Sequence, residues 1–458
     1  MKTPIADFVR RYAAGGGARF HMPGHKGRPY LASICTETGR VFSPEALDIT
    51  EIDGADVLYD AAGIVDESEA NATALFGTAH TFYSTEGSTL AIKAMLTLVA
   101  TALPRGTRPH FLAGRNAHKA FLNGAALLDA EVTWMHAEEA AHLCACPLSA
   151  DDVENAVKRC EKKPHAVYLT SPDYLGNVAD IAAIAAVCDA AGLPLLVDNA
   201  HGAYLAFLSE NRHPIALGAT MCADSAHKTL PVLTGGAYLH VAKKASARYL
   251  ENARHALALH ASTSPSYLIL QSLDLCNAIL ADDYAARLAA AEAHVTVTCR
   301  VLGAHGYRVA AREPLKLVID AQKSGYTGEE LAKILSQSGV APEFADRDFL
   351  VLMCTPDNSE TDFLRLEQAL LALPPRAPQE SLTPPPVFHP VRVLSVREAM
   401  LAPAETVPLS RALGRICASP TVSCPPAVPV VVAGERIDEA ALALLAYYGA
   451  DTVRVVEE

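Results

Sequence analysis

Between about residues 60 and 260 the chain alternates short apolar runs with Ala-rich stretches of helical periodicity. Residues 165–170 (His-Ala-Val-Tyr-Leu-Thr) predict a strand that ends in a turn-forming Ser-Pro-Asp. Apolar residues three and four apart over residues 181–188 predict a helix, which Gly192 ends. A second apolar run, residues 193–198, finishes in an aspartate. Near-continuous apolar strands alternating with helices predict a mostly parallel sheet covered by helices on both faces.

The region after this alternation follows a different pattern. Two apolar runs, residues 316–320 and 349–353, predict strands. Helical periodicity over residues 327–338 and 361–373 predicts two helices, and Thr327 has an acidic residue at capping-box spacing. These elements together predict a small α+β domain.

Prolines cluster between residues 373 and 386, and this cluster predicts a linker because proline lacks an N–H group and fixes φ. A Pro-rich tail with an apolar run at residues 428–433 follows it. A length of 458 residues also favours more than one core. The predicted fold class is α/β, with a mostly parallel-sheet large domain, a small α+β domain and a C-terminal α+β tail domain. The predicted divisions are an N-terminal segment (1–60), a large domain (61–285), a small domain (286–374) and a C-terminal domain (387–458).

The net charge is −13 at pH 7, because 51 acidic residues outnumber 38 basic ones. A nucleic-acid backbone requires a basic face, so this balance argues against a nucleic-acid partner. The same charge would mildly favour cationic ligands, although it is also common in soluble cytosolic proteins. The hydrophobic share of 50% is that of an ordinary globular chain.

Neither a secretion signal nor a membrane span is expected. The first residues contain no apolar run typical of a signal peptide. Residues 90–103 are apolar but short, and they include Lys93, so they predict a buried helix. The eleven cysteines form no C-x-x-C pair, and the spacing of Cys144 and Cys146 is a poor metal signal. We therefore expect a cytoplasmic protein with reduced cysteines and no metal site.

The most informative segment is Ala-Asp-Ser-Ala-His-Lys-Thr at residues 223–229, which Gly235 and Gly236 follow. A lysine in this setting does not resemble a solvated run of charges. A lysine amine can form a Schiff base with an aldehyde when partial desolvation or a neighbouring cation activates it. Lys228 is therefore a candidate catalytic residue, although a lysine considered alone is more often not catalytic.

Three segments upstream of Lys228 carry further candidate groups. Asp198, at a predicted strand end, could pair with a pyridinium nitrogen, although most isolated aspartates are caps or turn residues. Residues 86–89 (Glu-Gly-Ser-Thr) precede an apolar helix, where backbone N–H groups and hydroxyls suit a phosphate. Serine and threonine there are also plain helix caps. His118 follows an apolar run, where a histidine is more often structural.

In chain order the sequence thus offers a phosphate-binding loop, a histidine, a strand-end acid and Ser-x-His-Lys. With these segments the chain resembles the ornithine/lysine/arginine decarboxylase family, a branch of the aspartate-aminotransferase-fold enzymes that use pyridoxal 5′-phosphate (PLP). The resemblance extends to further segments across nearly the whole chain, namely Phe-His-Met-Pro-Gly-His-Lys-Gly (20–27), Asp-Ile-Thr-Glu-Ile-Asp-Gly (48–54), Ser-Thr-Ser-Pro-Ser-Tyr (262–267), Cys-Pro-Pro-Ala-Val-Pro (424–429) and Gly-Glu (434–435). The chain is similar to the short members, which lack an N-terminal wing.

The resemblance implies PLP as the cofactor and gives roles to individual residues. Lys228 would bind PLP covalently, Asp198 would pair with the pyridine nitrogen, and His227 would stand beside the reacting carbon. His118 would stack on one face of the ring, and Ala200 would pack against the other. The phosphate would be held by the amide of Gly87 and the hydroxyls of Ser88, Thr89 and Ser225.

The resemblance also implies a homodimer, in which Thr263 and Ser264 would approach the phosphate of the neighbouring subunit. Two positions depart from the usual family pattern. Glu86 stands where an asparagine is usual, and its charge would weaken phosphate binding unless the side chain points away or meets a cation. Residues 57–59 (Val-Leu-Tyr) replace the more usual Asp-Leu-His, which leaves the substrate contacts of this region open.

The implied reaction is decarboxylation of arginine, lysine or ornithine to the amine and CO₂, as in polyamine biosynthesis, with Lys228 or His227 returning a proton to Cα. An aminotransferase or lyase of the same fold is the alternative, and a catalytically weak partner protein is the third. An aminotransferase would need an arginine for the α-carboxylate, and Arg347 and Arg365 are available. A basic substrate needs an acidic partner, for which the candidates are Glu51, Asp53, Asp56, Glu343 and Asp346.

Overall fold

The computed structural model describes residues 1–15, 19, 22–23, 25–28, 44–137, 142, 144–310, 313–379, 390–419 and 428–458. Several residues of the predicted motifs lie outside the described residues, namely Phe20, His21, Gly24, residues 384–386 and residues 424–427. The chain divides into two compact units, residues 1–102 with 196–285 (unit 1) and residues 103–195 with 286–458 (unit 2). The four-part division proposed from the sequence stays a prediction.

The helices of the described residues are, in chain order, α1 (Pro4–Ala14), α2 (Ile64–Phe76), α3 (Gly87–Ala102), α4 (Lys119–Leu127), α5 (Ala150–Arg159), α6 (Ile181–Ala191), α7 (Ala226–Thr229), α8 (Ala247–Ala258), α9 (Tyr267–Leu280), α10 (Tyr284–His305), α11 (Gly328–Gln337), α12 (Glu360–Leu371), α13 (Val396–Leu401) and α14 (Glu439–Tyr447). The strands are β1 (His80–Ser84), β2 (His110–Gly114), β3 (Glu131–Met135), β4 (Ala166–Thr170), β5 (Leu195–Asp198), β6 (Met221–Asp224), β7 (Ala237–Val241), β8 (Arg308–Ala310), β9 (Lys316–Asp320), β10 (Phe344–Ala345), β11 (Phe349–Met353), β12 (Ala404–Pro408) and β13 (Thr452–Val456). Within the described part of the chain, no helix is both long and apolar enough to cross a membrane.

The first seven strands form one sheet in the order β1-β7-β6-β5-β4-β2-β3. Strand β2 pairs in parallel with β3 and β4, and β5 pairs in parallel with β6. Strand β7 runs antiparallel to both of its neighbours, β1 and β6. The sheet confirms the predicted fold class, and the carboxyl ends of its parallel strands are where ligands of such sheets bind.

Unit 1 is organised around α3, which is apolar on nearly all sides and buried over most of its length. This helix packs against α8, β6 and β7, which explains why residues 90–103 look apolar without spanning a membrane. It begins at Gly87, whose φ of +71° lies in the left-handed region that favours glycine. Elsewhere in the unit the Asp274 carboxylate of α9 accepts the Ala6 amide of α1 at 3.0 Å and the Ser68 hydroxyl of α2 at 2.6 Å.

Unit 2 contains an antiparallel sheet in the order β10-β11-β9-β8, against which α11 and α12 pack around a buried apolar core. Thr327 caps α11, because its hydroxyl accepts the Glu330 amide at 3.1 Å. The buried Lys316 ammonium pairs with Glu313 at 2.8 Å and donates to the Asp173 carbonyl at 3.2 Å. The strands and helices predicted for residues 316–373 are therefore confirmed within one or two residues at their ends.

The tail of unit 2 pairs β12 with β13 and packs α14 against them. The apolar run at residues 428–433 is buried but forms no strand. Two backbone carbonyls of this run accept hydrogen bonds from the Arg115 guanidinium, that of Pro429 at 3.0 Å and that of Val430 at 2.9 Å. The same guanidinium pairs with Glu435 at 3.1 Å, so one side chain anchors the Gly-Glu segment as well.

Candidate active site

The Ser-x-His-Lys segment of unit 1 lies just beyond the carboxyl end of β6, where α7 makes a single turn. Asp198 ends the neighbouring parallel strand β5 and is 2% exposed. Its Oδ1 accepts the Ala200 amide at 3.2 Å, which begins the turn that follows the strand. The structure therefore brings Lys228 and Asp198 to the same edge of the sheet, and Asp198 lies at the strand end where the sequence predicts it.

Two of the predicted phosphate ligands meet at the start of α3. The Ser225 hydroxyl donates to the Ser88 hydroxyl at 2.8 Å. The amide of Gly87 donates to the Gly235 carbonyl at 2.7 Å, so its hydrogen is engaged within the chain. The following amides belong to the first turn of a helix and have no intrahelical acceptor, which is the usual setting for an anion. The donors that suit a phosphate here are thus the hydroxyls of residues 88, 89 and 225 and the first-turn amides after Gly87.

Glu86, the unusual residue before this loop, accepts the Ser262 amide at 2.6 Å through its carboxylate. It thereby holds the start of the exposed loop that carries Thr263 and Ser264. The carboxylate is thus directed at a backbone N–H group outside the predicted phosphate loop, residues 86–89. The side chain points away from that loop, which was one of the two ways in which its charge could be tolerated there. The predicted contact of Thr263 and Ser264 with a neighbouring subunit stays a prediction.

The amine of Lys228 lies 3.0 Å from Nε2 of His201, a residue that is 5% exposed. His227 points differently, because its Nδ1 lies 2.9 Å from the Gly236 carbonyl. A carbonyl only accepts, so this Nδ1 carries a proton and the neutral ring keeps its lone pair on Nε2. Burial lowers the pKa of His227, and the nearby Lys228 charge lowers it further, although the bond to Gly236 acts in the opposite direction. His227 is therefore neutral near pH 7.

Asp224, the last residue of β6, is completely buried and collects donors from several elements. Its Oδ2 accepts Nε2 of His213 at 3.0 Å and Nε2 of His240 at 3.1 Å, and its Oδ1 accepts the side-chain amide of Asn199 at 2.8 Å. Burial alone would raise the pKa of Asp224, but the two histidines outweigh it and hold the pKa far below its usual value. This network links the end of β6 to Asn199, which follows Asp198, and to His240 of β7.

His213, Asp224 and His240 have the spacing of metal ligands, as do His142, Asp346 and Asp348 in unit 2. The hydrogen bonds of His213 and His142 indicate that their Nε2 atoms carry protons and do not bind a metal ion. Nδ1 of His213 accepts the Ile215 amide at 3.3 Å, and Nδ1 of His142 accepts the Cys144 amide at 3.1 Å. The neutral tautomer then carries its proton on Nε2, which faces the carboxylate and has no lone pair for a metal. The absence of a metal from the active site stays a prediction.

His118, in unit 2, is the N-cap of α4, because its Nδ1 accepts the Ala120 amide at 3.1 Å. Its proton therefore lies on Nε2 in the neutral ring. The cap fixes the imidazole at the end of β2, but the stacking role of His118 and the packing role of Ala200 stay predictions.

The candidate acids for a basic substrate differ sharply in how their oxygens are used. Asp56 accepts four backbone amides between 2.9 and 3.1 Å, and these lower its pKa although burial opposes them. Asp346 accepts two backbone amides and His142, and Glu343 accepts the Tyr174 hydroxyl at 2.6 Å. These three carboxylates are thus engaged in holding the fold.

Glu51 is the remaining partly buried acid of unit 1, and Asp53 is exposed. Burial raises the pKa of Glu51, a backbone hydrogen bond from Leu58 lowers it, and the charge of Asp56 raises it. The Tyr59 hydroxyl is buried without a hydrogen-bond partner among the described residues. Burial raises its pKa, and the charges of Glu86 and Glu51 add to the effect, so these carboxylates lie near the hydroxyl. Glu51, Tyr59 and Glu86 thus form an acidic corner in unit 1, and Glu86 is also the first residue of the predicted phosphate loop, residues 86–89.

Two features of the site were missed by sequence reasoning. His201 lies in the segment that contains Asp198, but nothing in its spacing shows which way its ring faces. The Asp224 network draws on residues from positions 199 to 240, and only the folded sheet brings them together. The available signal was that His201 follows the end of β5 and Asp224 ends β6, since functional side chains of a parallel sheet collect at strand ends.

The fold is shared with solved structures of PLP-dependent enzymes and of lysine decarboxylases. The lysine decarboxylase of Francisella novicida superposes with a TM-score of 0.82 at 16% identity, covering 99% of this chain and 81% of that one. A serine palmitoyltransferase of Sphingomonas wittichii superposes with a TM-score of 0.54 at 15% identity, covering 68% of this chain and 77% of that one. These likenesses place the chain in the fold class of the aspartate-aminotransferase-type enzymes.

The family follows from the sequence comparisons. The family model described as "Orn/Lys/Arg decarboxylase, major domain" matches residues 3–303, and the model of the C-terminal domain matches residues 381–452. An arginine decarboxylase of Bacillus subtilis (strain 168) is 28% identical over 468 aligned residues, covering 96% of this chain and 92% of that protein. The chain belongs to the Orn/Lys/Arg decarboxylase family, which confirms the resemblance and the prediction of a decarboxylase.

Proposed function

We propose that the protein decarboxylates a basic amino acid, namely arginine, lysine or ornithine, with PLP as cofactor. The observation that carries the proposal is the half-buried Lys228 amine, placed next to an imidazole at the carboxyl edge of the sheet. Asp198 and the Ser88–Ser225 hydroxyl pair stand at that same edge. The relatives named above as arginine and lysine decarboxylases support the substrate class.

The chemistry of these donors fits PLP. An aldehyde requires an amine, and Lys228 supplies one in a partly desolvated position. A phosphate requires donors at a helix N-terminus, and α3 offers Ser88, Thr89 and the nearby Ser225. A pyridinium nitrogen requires an anion, and the buried Asp198 carboxylate meets that need. A solved structure described as SPT with PLP shares the fold at a TM-score of 0.55 and supports the choice of cofactor.

When bound, PLP supplies an electron sink for the pair of electrons that departing CO₂ leaves on Cα. The residues of the chain would bind and orient the cofactor and transfer the proton. Asp198 would hold a proton on the ring nitrogen, the serine and threonine hydroxyls would anchor the phosphate, and the Lys228 amine would bind the aldehyde carbon. Lys228 or His227, both of which lie on α7, would return a proton to Cα.

The acidic corner of unit 1 suits the substrate side chain. Glu51 offers a carboxylate to a guanidinium or ammonium group, and Tyr59 offers a hydroxyl that lacks a partner among the described residues. Glu86 adds negative charge nearby while bonding Ser262. We propose Glu51 as the main side-chain ligand, and a cytoplasmic homodimer as the form of the enzyme.

The proposal is tested with PLP-loaded protein offered arginine, lysine and ornithine in separate reactions, with the amine product identified by mass spectrometry. We expect the corresponding amine from at least one of them. The variant Lys228→Ala should form none, whereas Lys243→Ala, which removes an exposed lysine of the same unit, should match the wild type. PLP-loaded protein that forms no amine from any of the three would contradict the proposal.

A further inference from the structure

The contact between His201 and Lys228 has no role in the proposed function so far. We propose that Nε2 of His201 is the proton acceptor that converts the Lys228 ammonium into the free amine required for attack on the cofactor aldehyde. The two nitrogens lie 3.0 Å apart, within direct proton-transfer distance, and the imidazole is nearly inaccessible to solvent. The inference rests on the proposed use of PLP, and it gives a catalytic residue to this site.

The need for such a group follows from the chemistry of lysine. An ordinary lysine is protonated at neutral pH, and an ammonium group has no lone pair with which to attack a carbonyl carbon. In the proposed step one N–H bond of Nζ breaks and one N–H bond forms on Nε2 of His201. The electron pair stays on Nζ, and the positive charge moves to the imidazole. Imidazole is the side chain best suited to accept a proton near pH 7.

The turn after β5 holds His201 firmly in this position. The amide of Gly202 donates to the Asn199 carbonyl at 2.8 Å, which closes the turn around His201. A Cβ at position 202 would lie 2.0 Å from Oδ1 of Asn199, so only glycine fits there. The Asn199 side chain is itself fixed by Asp224 at 2.8 Å. The imidazole is therefore placed by a tight turn and a buried carboxylate, and not by a mobile loop.

The other ionisable groups around Lys228 are less suited to accept its proton. His227 is adjacent in the chain, and neighbouring residues of a helical turn do not face each other. Its Nδ1 is also engaged with Gly236. Asp198 stands at the end of β5 beside the turn that carries His201, where its Oδ1 accepts the Ala200 amide. A carboxylate is in any case a much weaker base than imidazole, so His201 is the group with the right position and basicity.

The experiment measures covalent capture of PLP by apoprotein, with no amino acid present. Protein stripped of PLP with hydroxylamine is mixed with PLP, quenched with borohydride at increasing times, and the modified Lys228 peptide is quantified by mass spectrometry from pH 6 to 10. His201→Gln keeps a hydrogen-bond acceptor but cannot take the proton, and His201→Phe removes both functions. His255→Gln alters an exposed histidine of the same unit and is the matched control.

We expect His201→Gln and His201→Phe to slow capture by about 100-fold at pH 7, a typical loss for a missing general base. The loss should shrink steadily toward pH 10, because hydroxide then supplies the free amine. Capture by His201→Gln as fast as by the wild type would show that His201 only positions Lys228, and would overturn the proposal. A loss that is the same at every pH would overturn it as well, because that is the signature of a distorted site.

This test separates the inference from the proposed function. Capture that depends on His201, in a protein that forms no amine from any basic amino acid, would refute the decarboxylase proposal alone. Amine formation in a protein whose capture of PLP ignores His201 would refute the inference alone. A wild-type protein that forms no adduct at Lys228 would contradict both.

Discussion

Replacing Asp224 by alanine removes the carboxylate that joins the strand ends of unit 1. The side chain is completely buried and is the acceptor for His213, His240 and Asn199 at 2.8–3.1 Å. After the substitution these three donors stay buried, and a cavity the size of a carboxylate opens between them. We expect the variant to fold with a markedly lower free energy of unfolding, and to hold Asn199 and the neighbouring Ser225 less firmly.

The magnitude follows from the number of donors left without an acceptor. Each buried polar group that loses its partner costs about 1–3 kcal/mol. Removing one member of a buried charged network costs about 3–5 kcal/mol, because the groups that it paired with stay buried without compensation. We therefore expect Asp224→Ala to lower the free energy of unfolding by about 3–5 kcal/mol. Asp224→Asn keeps one acceptor oxygen and should cost about 1–3 kcal/mol.

The assay is urea unfolding followed by far-UV circular dichroism, with Asp282→Ala as the exposed control in the same unit. The control should stay within about 0.5 kcal/mol of the wild type. The folded pKa of Asp224 is depressed, so its stabilisation is complete above the unfolded pKa of about 4 and is lost as the pH falls below it. The difference in the free energy of unfolding between the wild type and Asp224→Ala should therefore decrease only below about pH 4. A cost under about 1 kcal/mol at pH 7 would refute the network as described.

Three further outcomes are expected. Gly202→Ala places a Cβ 2.0 Å from Oδ1 of Asn199, so it should disturb the turn and slow PLP capture at Lys228 at all pH values, as stopped-flow absorbance can show. Glu51→Gln should raise KM for the basic substrate about tenfold with kcat nearly unchanged, since it removes one charge-assisted contact of about 1.5 kcal/mol. An unaltered KM in steady-state kinetics would reject Glu51 as the ligand. Burial raises the pKa of Asp274 to about 6, although hydrogen bonds oppose the shift. Between about pH 4 and 6 the folded state therefore binds a proton that the unfolded state has lost. The free energy of unfolding of the wild type should fall by about 2–3 kcal/mol as the pH rises through that window. Asp274→Asn should flatten that pH dependence in urea titrations, and an unchanged slope would show that other groups cause it.

Much of the fold could be predicted because local signals and tertiary packing agree. The strand at residues 165–170 became β4, and the helix that follows ends at Gly192 with a φ of +63°, where a glycine was expected. The Thr327 cap is present at the predicted spacing. The apolar run at residues 428–433 is visible in the sequence, but the sequence does not show that Arg115, more than 300 positions away, donates to its backbone carbonyls.

The site was predictable in its residue types and less so in its contacts. Asp198 could be placed at a strand end because the pattern of apolar residues shows where that strand stops. Lys228 could be recognised from the residues around it. The direction of the Glu86 carboxylate depends on the amide of Ser262, which is remote in sequence. The contact of His201 with Lys228 depends on the tight turn after β5, which lies beside β6 in the sheet. Such contacts are decided by tertiary geometry, and no spacing rule contains them.

The most direct test of the central claim follows the fate of the substrate carboxyl carbon. Protein loaded with PLP is given arginine, lysine or ornithine labelled with ¹³C at the carboxyl group, and labelled CO₂ and labelled keto acid are measured in the same reaction. We expect labelled CO₂ to appear in step with the amine from at least one substrate, and Lys228→Ala to release none. Label retained in a keto acid, with no labelled CO₂ from any of the three, would contradict the proposed decarboxylation and would show that the same residues serve transamination.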